Sequence, residues 1–197
     1  MSDLRKVFAT LGASSHVEAV REKDDCYATA PEAVDILLKH FEIPQATKIW
    51  ECACGEGHLS KRLIERGFDV HSSDLVNRGY GEVKNFFDCT EKPDAGTLIL
   101  TNPPYKHAME FVLHALELLP ENGYCLMFLK LLFLEGQKRY AELFRIHPPK
   151  TVYVFSGRMK CAKNGEFKSG DDFNSAMAYC WYLWQKGFKG KPVIEWI

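Results

Sequence analysis

Short apolar runs alternate with amphipathic stretches along most of this chain, and that alternation limits the folds it can adopt. An apolar run predicts a buried strand, and apolar positions spaced three and four residues apart predict a helix. The predicted strands are residues 47–50, 68–72, 82–87, 96–101, 123–129, 151–155 and 176–184. Because helical stretches separate most of these strands, the pattern predicts an α/β fold with a mostly parallel, seven-stranded sheet and helices on both faces.

Four helices are predicted around these strands. The first begins after Thr29, which stands three residues before Glu32 in a capping-box pattern, with Pro31 in the first turn. It ends before Pro44, whose ring cannot continue a helix. The other predicted helices are residues 56–66, 109–119 and 136–146.

The length and composition fit one folded domain. The 197 residues suffice for a single core, and contents of 46% hydrophobic and 13% aromatic residues exclude a disordered chain. Residues 1–26 are polar and end in a run of charges, so we expect an N-terminal extension followed by one domain at residues 27–197. The chain shows neither a secretory signal nor an apolar stretch of the roughly 20 residues that a membrane span needs. We therefore expect a soluble cytoplasmic protein without a membrane partner.

Seven cysteines, an odd number, favour thiols over a disulfide framework. Cys52 and Cys54 form a Cys-x-Cys pair, but no second cysteine or histidine pair stands at zinc-ligand spacing. We therefore expect buried thiols and no metal site.

The formal net charge of −1 excludes a polycationic protein that binds nucleic acid through bulk charge. The charge is unevenly spread, because residues 150–197 contain 8 Lys and Arg against 4 Asp and Glu. Within that part, residues 157–174 are predicted to form a long loop, and loops of that length are often functional. The basic residues of this loop, expected either to contact phosphates or to form a solvated surface, are Arg158, Lys160, Lys163 and Lys168.

A strand that runs into a glycine turn and then a helix predicts a nucleoside-binding site. Gly55 and Gly57 permit a tight turn and a close approach of the backbone to a ligand. Glu51 ends the preceding strand, and Asp74 follows the next one, where a carboxylate can accept both hydroxyls of a ribose. Asp88 follows the third strand and can accept from an adenine amino group. The alternative is a plain turn that only joins a strand to a helix.

The segment Asn102-Pro103-Pro104-Tyr105 follows an apolar strand, at the edge where α/β sheets bind ligands. The two proline rings hold φ at about −65° and keep the turn rigid. The side-chain oxygen of Asn102 and the carbonyl of Pro103 can then accept two hydrogen bonds from one exocyclic amino group. Tyr105 can stack on the planar ring that carries this group. The alternative is a surface Asn-Pro-Pro turn without a ligand.

Together, Glu51-Cys-Ala-Cys-Gly-Glu-Gly57 and Asn102-Pro-Pro-Tyr105 resemble motifs of the S-adenosylmethionine-dependent amino-methyltransferases. The chain is most similar to the DNA adenine-N6 methyltransferases of bacteria and phages, over residues 27–197. Tyr27-Ala-Thr-Ala-Pro31 is similar to the segment that precedes the first strand in that family. Residues 177–184 and 186–190 look like the family's last strand and tail.

The resemblance implies the Rossmann-like class I methyltransferase fold, S-adenosyl-L-methionine as cofactor and DNA as the substrate partner. In this family the segment before the first strand borders the methionine carboxylate, and the glycine turn holds the methionine part. Acidic residues after the second and third strands hold the ribose and the adenine. The implied cofactor-binding residues are Tyr27, Thr29, Glu51, Ala53, Cys54, Gly55, Gly57, Asp74, Leu75, Asp88 and Asn102. The implied catalytic residues are Asn102, Pro103, Pro104 and Tyr105.

The chain departs from the family at two points. Cys52 stands where many members have proline, and no part of the sequence has the size of a separate target-recognition domain. We therefore expect target selection to involve a separate specificity subunit or a homodimer.

Other acceptors and other classes of protein fit parts of the sequence. Enzymes with Asn-Pro-Pro-Tyr chemistry also methylate rRNA bases and the glutamine side chains of proteins. A nicotinamide-dependent oxidoreductase is disfavoured by Ser60, which replaces the third glycine of the dinucleotide pattern. A non-catalytic module that retains the cofactor fold is disfavoured by the intact Asn102 and Asp74.

Overall fold

Strands and helices alternate along the computed structural model, which describes residues 27–159, 161–163 and 177–197. The predicted extension at residues 1–26 lies outside the described residues. The strands are β1 (Tyr27–Thr29), β2 (Lys48–Glu51), β3 (Asp69–Asp74), β4 (Glu82–Val83), β5 (Leu98–Thr101), β6 (Tyr124–Lys130), β7 (Thr151–Val154), β8 (Cys161–Lys163), β9 (Tyr179–Gln185) and β10 (Val193–Trp196). The helices are α1 (Glu32–His40), α2 (His58–Glu65), α3 (Ala108–Leu118) and α4 (Gln137–Arg139), which continues as a π-helical turn over Tyr140–Phe144. Single 3-10 turns cover Phe86–Asp88, Tyr105–His107 and Leu131–Leu134.

Eight of the described strands form one sheet in the order β10-β7-β9-β6-β5-β2-β3-β4. β9 runs antiparallel to both of its neighbours, and the other neighbouring pairs are parallel. The prediction of a mostly parallel sheet is therefore confirmed, with eight strands instead of seven. The additional strand is β10, whose short sequence shows little alternation and which lies at the sheet edge beside β7. Pairing with β7, rather than a local pattern, makes this segment a strand.

Both faces of the central strands are buried, which explains their continuous apolar sequences. In β6, Leu126 and Phe128 pack with α1 and α2 on one face. Cys125 and Met127 pack with α3 on the opposite face. Helices therefore cover both faces of the sheet, as predicted. The cysteines that the structure describes in full are buried thiols, namely Cys52, Cys54, Cys89, Cys125 and Cys180.

The predicted capping box at Thr29 is wrong. Thr29 belongs to β1, and within the described residues no side chain caps the N-terminus of α1. β1 pairs antiparallel with β8, so that Thr29 lies opposite Cys161. This pairing also changes the predicted loop at residues 157–174, because part of it is β8. A strand partner more than 130 residues away overrides the local helix-start pattern at Thr29.

Two further predicted elements differ in type. The predicted strand at residues 82–87 is the two-residue strand β4 followed by a 3-10 turn. The predicted helix at residues 136–146 is α4 with its π-helical continuation. In the part of the chain that the structure describes, no helix is long and apolar enough to cross a membrane.

Candidate active site

Four parallel strands end at one edge of the sheet, called the carboxyl edge here. Their last residues are Glu51 of β2, Asp74 of β3, Thr101 of β5 and Lys130 of β6. Ligands of open α/β sheets bind at this edge. The fold therefore brings the glycine turn, which follows β2, beside the Asn102–Tyr105 segment, which follows β5.

The glycine turn joins β2 to α2 and is held against the end of β3. Gly55 and Gly57 have φ values of 55° and 79°, in the left-handed region that favours glycine. The Gly57 amide donates to the Cys54 carbonyl over 2.8 Å, and the Cys54 amide donates to the Ser73 carbonyl over 3.0 Å. Ala53, the residue before Cys54, is half-buried. These bonds define a tight turn at the start of a helix.

Asp74 is bound by backbone amides on both sides of its carboxylate. The Gly55 amide donates to Oδ2 over 2.8 Å, and the Val76 amide donates to Oδ1 over 2.9 Å. Each carboxylate oxygen has a second lone pair, so the group can still accept hydrogen bonds from a diol. Leu75, next to it, is exposed. The position fits the predicted ribose contact.

Glu51 is buried at the end of β2 and belongs to a small polar cluster. The Ser60 hydroxyl donates to Glu51 Oε2, and the Ser60 and Ser72 hydroxyl oxygens lie 2.6 Å apart. Burial raises the pKa of Glu51 to about 8, although the hydrogen bond from Ser60 lowers it. Ser60 therefore replaces the third glycine of the dinucleotide pattern with a hydroxyl that satisfies a buried carboxyl group.

Tyr80 covers the glycine turn, which the sequence patterns did not indicate. A Cβ built on Gly57 would lie 2.2 Å from the Tyr80 ring. The Lys61 ammonium lies 4.9 Å from the centre of the same ring, and the Tyr80 carbonyl lies 3.8 Å from the Cys54 sulfur. The segment after β3 therefore packs directly on the turn after β2.

Asn102 is connected to β1 by its side-chain amide. Asn102 Nδ2 donates to Thr29 Oγ1 over 2.8 Å, and Thr29 is 2% exposed. Pro103 is buried, and Pro104 has φ −53° and ψ 120°. The His107 amide donates to the Pro104 carbonyl over 2.9 Å and closes the 3-10 turn that begins at Tyr105. The segment therefore leads directly into a hydrogen-bonded turn at Tyr105.

Tyr105 lies between residues of two other strands. The Lys130 ammonium is 4.7 Å from the centre of the Tyr105 ring, within the range of a cation–π contact. The Tyr179 ring lies 6.1 Å away, tilted by 33°, and stacks in turn on Phe128 at 5.3 Å. Lys130 is therefore a residue of this site that the sequence analysis missed. Its position at the end of the apolar strand β6 could have indicated that it lies at the carboxyl edge.

The structure does not bring Asp88 to the carboxyl edge. Asp88 is exposed and lines a cavity of about 590 Å³ together with Lys48 and Asp69, the first residues of β2 and β3. After β4 the chain returns toward the start of β5, and Asp88 lies on that return. Its predicted adenine contact is therefore not supported by its position. Asn85 lies nearer to the site, since the amide of the preceding Lys84 donates to the Asp74 carbonyl over 2.8 Å.

The predicted phosphate-binding residues are described only in part. Arg158 is exposed, and the backbone of Lys163 pairs with that of Tyr27 in the β1–β8 ladder. This ladder continues to Thr29, which binds Asn102. Lys160 and Lys168 lie outside the described residues.

The residues of the carboxyl edge fit an adenosine cofactor. Asp74 is an oriented carboxylate with acceptor capacity for a ribose, and Gly55 and Gly57 give the turn a left-handed backbone that other residues rarely adopt. Glu51 supplies a second, buried carboxyl group beside the turn. The Asp74 carboxylate is an acceptor of the kind that hydroxyls require, and the Glu51 carboxyl group is mostly protonated below a pH of about 8.

The whole chain was also compared with known proteins. No protein-family model and no curated protein matches the chain. A structure from Listeria monocytogenes, provisionally assigned as a class I S-adenosylmethionine-dependent methyltransferase, has a TM-score of 0.60 at 11% identity and covers 98% of this chain and 71% of its own. A modification subunit assigned to a type I restriction enzyme of Vibrio vulnificus has a TM-score of 0.58 at 13% identity and covers 98% of this chain. This chain spans about half of that subunit, 49% of its length.

A third structure is similar over nearly its full length. It is a protein of Pyrococcus horikoshii assigned as an RNA methyltransferase, with a TM-score of 0.54 at 14% identity, and the match covers 92% of this chain and 98% of that one. Together with the sheet order, these similarities define the fold. The chain has the Rossmann-like fold of class I S-adenosylmethionine-dependent methyltransferases.

Proposed function

We propose that this protein transfers a methyl group from S-adenosyl-L-methionine to the N6 amino group of adenine in DNA. The proposal rests mainly on the position of Asn102, whose amide is anchored by Thr29 at the carboxyl edge that also carries the glycine turn and Asp74. An amide oriented in this way presents its oxygen as a hydrogen-bond acceptor next to the cofactor site.

The proposed cofactor site consists of the glycine turn, Glu51 and Asp74. Asp74 would accept the ribose hydroxyls, and the glycine turn would hold the methionine part. The cofactor supplies an electrophilic methyl group bound to a sulfonium sulfur. Asn85 follows the Lys84–Asp74 hydrogen bond in the chain and is the candidate that would replace Asp88 as the polar contact of the adenine; its side-chain oxygen accepts from the Phe87 amide.

The chain's own residues orient the amine and do not act as a strong base. The Asn102 side-chain oxygen and the Pro103 carbonyl accept one hydrogen bond each from the amino group, which directs the nitrogen lone pair toward the methyl group. Tyr105 stacks on the adenine ring. As the new N–C bond forms, the bond from the methyl carbon to sulfur would break, which leaves a neutral thioether and a positively charged nitrogen. This nitrogen is acidic and would lose its proton to solvent, so no His or Lys base is required in the motif.

DNA is favoured over the other acceptors by the Tyr27–Pro31 segment. This segment resembles that of the DNA adenine-N6 enzymes, and its Thr29 binds the proposed catalytic amide. The similarity to the Vibrio vulnificus modification subunit supports a role in DNA modification. The uneven charge, with its basic residues near the C-terminus, supports a polyanionic substrate.

The test is radiolabelled methyl transfer from S-adenosylmethionine to unmethylated genomic DNA, rRNA and protein extracts in parallel. We expect label in DNA, recovered as N6-methyladenine. If label appears only in rRNA or only in protein, that acceptor and not DNA is the substrate. Asn102→Ala should abolish transfer and leave cofactor affinity nearly unchanged, whereas transfer near the wild-type rate would contradict the mechanism.

A further inference from the structure

The turn that follows β6 begins at the proposed active site. β6 ends at Lys130, whose ammonium contacts the Tyr105 ring, and Leu131–Leu134 forms a 3-10 turn directly after it. The Leu131–Leu134 turn is therefore the exposed segment that directly follows Lys130 in the sequence. Its exposed side chains are Leu132, at 60% exposure, and Leu134, at 40%.

The backbone of this turn is held by hydrogen bonds on both sides. The Tyr182 hydroxyl lies 3.2 Å from the Lys130 carbonyl oxygen and 3.3 Å from that of Leu131. Arg139 Nε donates to the Phe133 carbonyl over 2.8 Å, and the same guanidinium donates to the Glu135 carbonyl. The two leucines thus project from a backbone that is fixed at each end.

Phe133 anchors the turn in the core. It is buried and meets the rings of Phe144 and Tyr182 edge-on, with centroid distances of 5.8 and 5.6 Å. The Arg139 guanidinium lies 5.2 Å from the centre of its ring. Because Phe133 points inward, its neighbours Leu132 and Leu134 point outward and do not take part in this core.

The charges around the turn are complementary to a polyanion. Residues 130–145 contain Lys130, Lys138, Arg139 and Arg145 against Glu135 and Glu142, of which Glu142 lies 3.9 Å from Lys138. An exposed apolar pair at a binding edge indicates an interaction surface, and basic residues around it favour a nucleic acid over an apolar protein partner. Proteins that open a duplex often insert apolar side chains between base steps.

We propose that Leu132 and Leu134 form a wedge that enters the base stack of duplex DNA and fills the gap left by the target adenine. This inference rests on the proposed function, because an amino group that pairs inside a duplex reaches Asn102 only after the base leaves the stack. The wedge stabilises the opened duplex, and Lys130, which precedes the turn in the chain, contacts Tyr105. A single strand needs no such support.

The test compares two forms of one substrate, native and heat-denatured genomic DNA that lacks adenine methylation. The double variant Leu132→Ala/Leu134→Ala should lower the initial transfer rate on native DNA by about tenfold, and the rate on denatured DNA by less than about twofold. Leu132→Met/Leu134→Met, which preserves apolar volume, should retain the wild-type ratio of the two rates. Val193→Ala is the matched control, because Val193 is also exposed and begins β10 at the end of the sheet away from the carboxyl edge.

The outcomes separate the two proposals. A native-to-denatured ratio that stays at the wild-type value in the alanine variant overturns the wedge alone. An equal loss on both DNAs also overturns it, as does a wild-type protein that methylates only denatured DNA. If the wild type transfers no methyl group to either DNA, the proposed function fails and the wedge fails with it.

Discussion

The side-chain amide of Asn102 donates a hydrogen bond to the hydroxyl of Thr29, with 2.8 Å between Nδ2 and Oγ1. The two residues are 73 positions apart in the chain. Thr29 belongs to the two-stranded β1–β8 sheet, whereas Asn102 directly follows β5 of the eight-stranded sheet. Because the NH2 group faces Thr29, the amide oxygen faces the other way. The β1–β8 ladder thereby defines the orientation of the proposed catalytic acceptor.

Thr29→Val should therefore impair transfer while the fold is retained. Valine has nearly the shape of threonine but cannot accept the hydrogen bond, so the amide loses its orientation and the protein loses one hydrogen bond, worth about 0.5–1.5 kcal/mol. We expect a lower kcat, a similar affinity for S-adenosylmethionine and a small loss of unfolding free energy. Thr29→Ser keeps the hydroxyl and should restore kcat. Equal kcat values for the two variants would contradict the orienting role.

Gly57→Ala should destabilise the protein and weaken cofactor binding. Alanine at a φ of 79° is strained by about 1–2 kcal/mol, and its Cβ would collide with the Tyr80 ring. Gly96→Ala is the matched control, since Gly96 has a φ of 86° with no atom within 4 Å of the added Cβ. We expect both variants to lose stability in urea denaturation. A calorimetric titration should show weaker S-adenosylmethionine binding for Gly57→Ala but not for Gly96→Ala. If the two variants bind S-adenosylmethionine with equal affinity, Gly57 is not part of the cofactor site.

The buried carboxyl group of Glu51 should make stability depend on pH. Its pKa is about 8 in the folded protein against 4.5 for the ordinary group, so the folded state favours the protonated form. This contribution is fully present below 4.5 and is lost as the pH rises through about 8. We expect the wild-type unfolding free energy to fall over this window by a few kcal/mol more than that of Glu51→Gln.

The measurement for Glu51 is urea denaturation at a series of pH values. Glutamine retains an acceptor for the Ser60 hydroxyl, so the variant should fold. Glu65→Gln serves as the control, because Glu65 is an exposed residue that pairs with Arg62. Parallel pH curves for the wild type and Glu51→Gln would refute the raised pKa.

Lys130→Met should weaken DNA binding if Lys130 supplies a phosphate contact beside Tyr105. Loss of one such contact reduces the slope of the logarithm of affinity against the logarithm of salt concentration by about 1. Fluorescence anisotropy of labelled DNA at several salt concentrations measures this slope. Lys48→Met is the control, because Lys48 pairs with Asp94 at the start of β2. If the slope for Lys130→Met equals that of the wild type, Lys130 makes no phosphate contact.

Much of the fold was predictable because it depends on local patterns. Apolar runs identified the strands β2, β3, β5, β6, β7 and β9 to within a few residues, and helical spacing identified α1, α2 and α3. The general rule that parallel strands share a carboxyl edge then placed Gly55, Asp74 and Asn102 near one another. The predicted rigidity of the Asn102–Tyr105 segment also follows from the local stereochemistry of proline.

The errors occur where a distant partner determines the conformation. Thr29 has the neighbours of a helix cap, but it pairs with β8 and binds Asn102. β10 becomes a strand because β7 presents an unpaired edge to it. Asp88 lies away from the site because the chain turns back after β4, and no spacing in the sequence encodes the direction of that return.

The amino-acid sequence by itself determined the α/β class, the glycine turn and the rigid Asn102-Pro103-Pro104-Tyr105 segment, because these follow from hydrophobic periodicity and backbone sterics over a few residues. The tertiary structure decided that Thr29 orients Asn102, that Tyr80 covers Gly57 and that Lys130 contacts Tyr105. These contacts join residues from different strands and loops. They exist only after the sheet has assembled, since burial and hydrogen bonding between remote segments depend on the whole packed fold.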